Sequence, residues 1–352
     1  MEKKIKVAIN GLGRIGRAFL KAALAHKELE VVAVNDLGDK ANMEYLLRYD
    51  SVYGRHLQLT TDNSQQKESV FDELGVKYLS EEEPAKLPWK ELGVDVVVES
   101  TGFFASAEKA AAHLSAGARR VVITAPLKES RSDLGNGERS DLKAETVLIG
   151  INEDKLKTCK ISSNASCTTN AASPIIAILD EAIGIEKALL NTVHAYTATQ
   201  ALVDSPAGKK GMREGRAAAH NIVPSSTGAA IAVTKAYPSL AGKFDGISLR
   251  VPVICGSIAD ITFIAKRDTS AEEVNGALRA AAAAARWRGI FAVAEDELVS
   301  SDILGRPEGA IAELSMTRVV GGNLVKVLAW YDNESGYANT LVRHVLEAGR
   351  YV

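Results

Sequence analysis

The chain is poor in cysteine, in net charge and in long apolar runs. Its three cysteines, Cys159, Cys167 and Cys255, make neither a disulfide framework nor a Cys-x-x-Cys metal pair, and they fit a reducing compartment. A formal net charge of −2 supplies no basic excess for phosphate backbones or anionic lipid, so neither a nucleic acid nor a membrane surface is an expected partner. No apolar run approaches the ~18 residues of a membrane-spanning helix. Met1 to Lys4 lead straight into a strand-like run without a signal-peptide core, and a cytoplasmic location is expected. What is present is ordinary for a globular protein: 46% hydrophobic and 24% charged residues over 352 positions. That length suggests about two domains.

The first half alternates strand and helix. Ile5 to Asn10 is a short β-run, followed by Gly11-Leu12-Gly13-Arg14-Ile15-Gly16 and a helical stretch to about Ala25. Val31 to Asn35 is the next strand, closed by Asp36. A Gly-x-Gly-x-x-Gly alone says little, but here strand, turn, helix, strand and acid follow in the order a dinucleotide site requires. Gly11 permits the tight turn, Gly13 lets a pyrophosphate approach the backbone, and Gly16 lets helix and strand pack closely. Asp36, 20 residues past Gly16, can accept from a ribose diol and would repel a 2′-phosphate, which favours NAD over NADP. Leu37 offers that phosphate no donor, although Lys40 and Arg48 are near in sequence. The runs Val94 to Thr101, Val121 to Pro126 and Glu145 to Asn152 continue the sheet. Thr124, at a strand's C-terminal end, is either a nicotinamide-side contact or a turn hydroxyl.

The second half changes character. Long β-runs at 188–197, 247–253, 256–266 and 323–330 predict an antiparallel or mixed sheet. Helices are expected at about 231–237 and 271–286, with a terminal amphipathic helix over 339–346. The stretch 198–226 reads as a long loop of functional or interface character. Asn333 either meets a carboxamide with its side chain or caps the last helix.

Chemistry concentrates at Ser163-Asn164-Ala165-Ser166-Cys167-Thr168. The residues that follow are helical in pattern, so Cys167 stands at a helix N-terminus, where unpaired N–H groups and the helix dipole lower a thiol pKa. The alternative is a half-buried structural cysteine. Of six histidines, His26 and His220 are expected on helix surfaces, and His56, His113 and His344 have no acid or nucleophile in evident company. His194, inside a strand with Tyr196 and Thr197 after it, is the candidate base for Cys167. Arg250 stands alone in an uncharged strand and should be paired or face a ligand. Two anion sites follow: Thr197 with Arg250, and Ser166, Thr168 and Thr227 with the Gly228 N–H.

Over essentially its whole length the sequence resembles the phosphorylating glyceraldehyde-3-phosphate dehydrogenase family. The carrying motifs are the glycine turn from Asn10 to Arg17; Asn35-Asp36-Leu37; Glu99-Ser100-Thr101-Gly102; the octapeptide Ser163 to Asn170; His194-Ala195-Tyr196-Thr197; Ser226 to Ala230; Leu249-Arg250-Val251-Pro252-Val253; and Trp330 to Tyr337. The resemblance implies a Rossmann-type dinucleotide-binding domain at 1–166, with the segment 333–352 packing back on it. It implies an α+β catalytic and oligomerisation domain at 167–332, built on a mostly antiparallel or mixed sheet. Cys167 would be the nucleophile, activated by His194. Arg14, Ile15, Asp36, Thr124 and Asn333 would contact NAD. Thr197 and Arg250 would hold the phosphate of glyceraldehyde 3-phosphate, and Ser166, Thr168, Thr227 and Gly228 the attacking inorganic phosphate. A homotetramer is implied, with the loop after Thr197 at its interface.

The chain departs from the family pattern in places. The stretch 128–144 is longer than usual and is expected to be an ordered surface insertion without catalytic role. Where relatives carry a basic pair, this chain has Arg213-Glu214-Gly215-Arg216, which leaves open which arginine assists phosphate. Erythrose-4-phosphate dehydrogenase is the nearest enzyme alternative, and a catalytically inactive NAD-sensing interaction protein is the alternative of another class. The retained Thr168, Thr227 and Gly228 favour phosphorylation over hydrolysis, and the intact Cys167 and His194 favour an enzyme.

Overall fold

The computed structural model describes residues 3–56, 69–128, 143–207 and 211–352. All but the ends of the expected 128–144 insertion, together with Gly208, Lys209 and Lys210 of the long loop, lies outside the described residues. The chain divides into two compact units, residues 1–147, 153–165 and 341–352, and residues 148–152 and 166–340.

In the first unit the elements run β1 (Ile5–Asn10), α1 (Arg14–Ala23), β2 (Leu29–Asn35), α2 (Lys40–Arg48), the short hairpin β3 (Tyr49–Asp50) and β4 (Gly54–Arg55), α3 (Val70–Glu73) and β5 (Lys77–Leu79). They continue with α4 (Trp89–Leu92), β6 (Val96–Glu99), α5 (Ala107–Ser115), β7 (Arg120–Ile123), β8 (Ala144–Thr146) and β9 (Ile161–Ser163). Seven strands form one parallel sheet in the order β5-β2-β1-β6-β7-β9-β8, a Rossmann-type arrangement. Its central strands are apolar without alternation because both faces are covered: Val96, Val97 and Val98 are fully buried, as are Val7, Ala8 and Ile9. The expected strand over 145–152 stops at Thr146. Beyond it the backbone turns, with Gly150 at φ 85° and the Leu148 N–H donating to Asn152 Oδ1 at 2.8 Å. Asn152 thus satisfies a turn rather than a ladder.

The second unit opens with α6 (Cys167–Ala182), β10 (Ile185–Ala195), β11 (Val223–Ser226), α7 (Ala229–Ala236), β12 (Phe244–Val251) and β13 (Ser257–Ala265). It continues with α8 (Ala271–Ala283), β14 (Phe291–Ala294), β15 (Ala310–Val320), β16 (Leu324–Tyr331) and the start of α9 (Ser335–Gly349). The sheet is mixed, in the order β11-β12-β10-β13-β16-β15-β14, with β10 parallel to β12, β14 parallel to β15 and the other pairs antiparallel. Strict alternation in β13 buries Ala259, Ile261 and Phe263 in a core shared with α6, where every residue from Thr168 to Leu179 is buried. α6 is therefore a central helix, and Cys167 at its first residue rides on one of the most constrained elements of the unit.

β14 and β15 have no counterpart among the expected strands. The β15 sequence is interrupted by Glu313, Ser315, Thr317 and Arg318, and its pairing with β16 shifts register between Glu313 and Arg318. Glu313 is nonetheless buried, accepting from Trp330 Nε1 at 3.1 Å and from Ser315 Oγ at 2.6 Å. The histidines expected on helix surfaces are in turns: His26 follows α1, and His220 donates its N–H to Ala217 O. Among the described residues no helix is long and apolar enough to cross a membrane.

Candidate active site

The turn before Cys167 is held from several sides. Ser163 Oγ donates to Ala125 O at 2.6 Å and accepts from the Ala165 N–H at 2.9 Å, while the Asn164 N–H donates to Ile123 O. Ala165 is fully buried at φ 53°, the one non-glycine in the left-handed region among the described residues. Such a backbone costs a side-chain-bearing residue of order 1 kcal/mol and persists only where surrounding bonds impose it. His344 supplies another restraint, missed from sequence: fully buried, it lies 2.7 Å from Ser162 Oγ through Nε2 and 3.2 Å from Asn164 Oδ1 through Nδ1. Burial drives its pKa down to about 3, so the ring is neutral.

Ser166 caps α6, its Oγ accepting from the Thr169 N–H at 3.1 Å. Cys167 is the first helical residue and half-buried. Its Sγ lies 3.4 Å from His194 Nε2. His194 sits at the end of β10, where Ala195 O lies 2.7 Å from Nδ1. Where Nδ1 donates to Ala195 O, the Nε2 lone pair faces sulfur; where Nδ1 accepts from Arg250 Nη1, Nε2 carries the proton. The parallel pairing of β10 with β12 sets His194 beside Arg250, whose Nη1 touches His194 Nδ1 and donates to Ala195 O at 3.1 Å. Arg250 Nε is buried without a partner among the described residues. Among those residues no carboxylate is bonded to His194.

These surroundings act on the Cys167 thiol in opposite directions. Burial pushes the Cys167 thiol up, against the opposing pull of the Arg250 charge and of hydrogen bonds from Thr168 and the helix N-terminus. Burial, with the Arg250 charge second, drives His194 down to about 3. Tyr331 buttresses the Cys167–His194 pair: its hydroxyl lies 2.9 Å from Thr168 Oγ1 and 2.6 Å from Thr192 Oγ1, and its ring stands edge-on to His194 with centroids 5.8 Å apart. Thr168, expected at an anion site, is thus buried with its hydroxyl on Tyr331.

The other expected anion-site residues are more open. Thr197, just past β10 and half-buried, pairs its Oγ1 with Thr199 Oγ1 at 3.0 Å. Thr227 Oγ1 accepts from the Ala229 N–H at the start of α7, and a side chain added at Gly228 would meet open space. Arg216 is ion-paired with Asp204 at 3.0 Å, whereas Arg213 is exposed and unpaired among the described residues. Asn333 Oδ1 accepts from the Gly256 N–H at 3.1 Å and Ser257 Oγ at 3.0 Å, which fixes the amide and makes its NH2 the end left to meet a ligand.

In the first unit, Gly11 has φ 96°, and a Cβ there would lie 2.7 Å from the Thr101 nitrogen; one at Gly16 would lie 2.0 Å from Gly11 O. Gly13, at the N-cap of α1, faces open space where a Cβ would otherwise project, which suits a pyrophosphate against the helix N-terminus. Asp36 accepts from the Leu12 N–H at 2.6 Å and the Gly38 N–H at 2.8 Å, which aims its carboxylate. Arg14 pairs with Asp50 at 2.7 Å, Ile15 is half-buried on α1, and Thr124 donates its N–H to Glu99 O just past β7. These residues fit a dinucleotide. Beneath the strand ends lies a buried network that sequence reading missed, because it gave His113 no acid. Trp89 Nε1 donates to His113 Nδ1 at 3.0 Å, His113 Nε2 then donates to Glu99 at 3.0 Å, and Asn10 donates to Glu99 at 2.6 Å.

Comparison with known proteins agrees with both units. The model for the glyceraldehyde 3-phosphate dehydrogenase NAD binding domain matches residues 5–107, and that for the C-terminal domain matches residues 166–333. The chain belongs to the glyceraldehyde-3-phosphate dehydrogenase family. Relatives bearing that name include one from Streptomyces coelicolor, 45% identical over 342 residues and covering 96% of both chains. One from Mycobacterium avium is 45% identical over 355 residues, covering 98% of this chain and 99% of its own. One from Clostridium pasteurianum is 44% identical over 344 residues, covering 96% of both. NAD is accordingly the cofactor.

Proposed function

We propose that the chain oxidises glyceraldehyde 3-phosphate with NAD and inorganic phosphate to 1,3-bisphosphoglycerate, through a thioester on Cys167. The observation that carries this reading is the Cys167 Sγ to His194 Nε2 approach of 3.4 Å. Neither group favours a charge alone, so the proton passes from sulfur to Nε2 as sulfur bonds the aldehyde carbon. The oxyanion formed is held by the His194 Nε2–H and the Cys167 backbone N–H at the helix start. Bound NAD supplies the acceptor for the hydride that leaves this carbon. As the hydride leaves, the oxyanion collapses to the thioester carbonyl, and the proton taken from Cys167 stays on His194. Inorganic phosphate then adds to the thioester carbon and expels the Cys167 thiolate, giving the acyl phosphate.

In this reading Thr197 and Arg250 hold the substrate's phosphate, and Ser166, Thr168, Thr227 and Gly228 the attacking one. Arg14, Ile15, Asp36, Thr124 and Asn333 contact NAD. The catalytic and oligomerisation domain is 167–332, and the NAD-binding domain is 1–166 with 333–352. A homotetramer is supported by the exposed Leu189, Ile247, Leu202 and Val203 of the second unit. A cytoplasmic location is supported by cysteines that are all free. The test is NADH formation from glyceraldehyde 3-phosphate with and without inorganic phosphate. Sustained turnover only with phosphate is expected; equal sustained turnover without it would replace phosphorolysis by hydrolysis, and no NADH in either arm would reject the substrate.

A further inference from the structure

We propose that Tyr78 is a specificity-determining residue for the cofactor: its hydroxyl locks the turn that aims Asp36, so that the carboxylate cannot yield to a 2′-phosphate. The proposal rests on the reading of Asp36 as the ribose contact and extends it to the residue that holds Asp36 in place. β2 and β5 pair in parallel with Tyr78 opposite Val34, and beyond the last pair the Asp36 N–H donates to Leu79 O at 3.1 Å. The Tyr78 side chain reaches the turn that follows. Its hydroxyl donates to Gly38 O at 2.7 Å and lies 3.3 Å from Asp36 O. The amide of the same glycine is also engaged: the Gly38 N–H donates to Asp36 Oδ1 at 2.8 Å, while the Leu12 N–H holds Oδ2 at 2.6 Å. Asp39 then caps α2, accepting from the Asn42 N–H at 2.9 Å. The turn 36–38 is thus pinned between the end of β2 and the start of α2, with Tyr78 bridging it from the neighbouring strand.

Acceptance of a 2′-phosphate where the acid meets the ribose needs the carboxylate to withdraw and a donor to replace it. The Gly38 N–H, a backbone donor just past the acid, is spent on Asp36 itself, and Lys40 is directed to Asp72 at 3.5 Å. Swinging Gly38 toward a phosphate breaks both of its bonds, to Asp36 and to Tyr78. Burial, then the Asp36 and Asp39 charges, push the Tyr78 hydroxyl up to about 12, so at neutral pH it stays protonated and a donor. The ring is held separately, against Phe71 with centroids 5.0 Å apart. Removing the hydroxyl alone therefore frees the turn without unpacking the strand.

Calorimetry with ADP-ribose and 2′-phospho-ADP-ribose tests this without any aldehyde chemistry. The wild type should bind ADP-ribose more tightly than the phosphorylated probe. In Tyr78→Phe that preference, the ratio of the two dissociation constants, should fall about fivefold, the scale of one net hydrogen bond. The fall should come chiefly from tighter binding of 2′-phospho-ADP-ribose. In an Asp36→Ala background the same substitution should change the ratio by less than about twofold, because Tyr78 acts through Asp36. An unchanged ratio in Tyr78→Phe beside a lowered one in Asp36→Ala would overturn the proposal and leave the ribose reading of Asp36 standing. Equal weakening of both probes in Tyr78→Phe would also overturn it, since the hydroxyl would then serve stability alone. No change of ratio in either variant would reject the reading of Asp36 and the proposal with it.

Discussion

Replacing His194 by Asn isolates its contribution to nucleophile formation. The shorter amide can still donate to Ala195 O, as Nδ1 does at 2.7 Å, but cannot span the remaining distance to sulfur. Opposite unit charges at 3.4 Å attract by roughly 5 kcal/mol at an effective dielectric of about 20. That attraction offsets the burial which otherwise pushes the Cys167 thiol up and His194 down to about 3. Without His194 the thiolate faces burial with only Arg250 and the helix N-terminus to support it. The first NADH burst should slow by ~10²–10⁴, about 3–5 kcal/mol at 1.36 kcal/mol per tenfold. The assay pairs stopped-flow NADH formation with the pH dependence of Cys167 alkylation, whose midpoint should move to higher pH in the variant. An unchanged alkylation midpoint together with a burst slowed less than about tenfold would refute the base assignment.

Three further outcomes are expected. Cys167→Ser should abolish aldehyde oxidation while NAD binding, followed by calorimetry, stays nearly intact; retained turnover would assign the nucleophile elsewhere. Asp36→Ala should narrow the preference for NAD over NADP, read as the ratio of kcat/KM values, and an unchanged ratio would mean the ribose is recognised by other groups. His344→Gln should flatten the acid side of the stability profile. His344 titrates near 6.5 unfolded and about 3 folded, so the unfolded chain takes up the proton first as pH falls. The stability this neutral ring provides is fully present above 6.5 and is lost on acidification toward 3, about 1.5 kcal/mol of it between pH 6.5 and 5. Thermal unfolding of both proteins at those two pH values should show the wild type losing more; parallel losses would contradict the buried neutral ring.

What was legible in the sequence is what local chemistry imposes. The Gly11 turn can be read because φ 96° and a Cβ clash with the Thr101 nitrogen demand glycine, and the start of α6 because Ser166 caps it three residues after a polar strand end. β15 was not legible, since its polar residues obey a broken register and a buried Glu313 rather than a period of two. The long-range polar pairs were hidden for a different reason. His344 and Ser162 are 182 positions apart, and His113 meets Glu99 only because α5 packs on β7, the neighbour of β6. Nothing in the residue types flanking either histidine announces its partner.

The thiol pKa shows where pattern reading must stop. A cysteine at a helix N-terminus beside an arginine has local features that lower a thiol pKa, and both act in that direction here, against a larger opposing effect of burial. Burial is a property of the whole unit, set by a central helix and a mixed sheet whose register also brings Arg250 to His194. The same neutrality has different consequences at two sites. His344 and His194 are both driven to about 3 by burial, but His344 turns Nε2 to a serine hydroxyl and His194 turns Nε2 to a thiol. For His194 both Ala195 O and the Arg250 guanidinium reach Nδ1, so its capacity to act as a base depends on which of them that nitrogen engages. That choice is made by strand register, and a sequence motif specifies it only through the fold it produces.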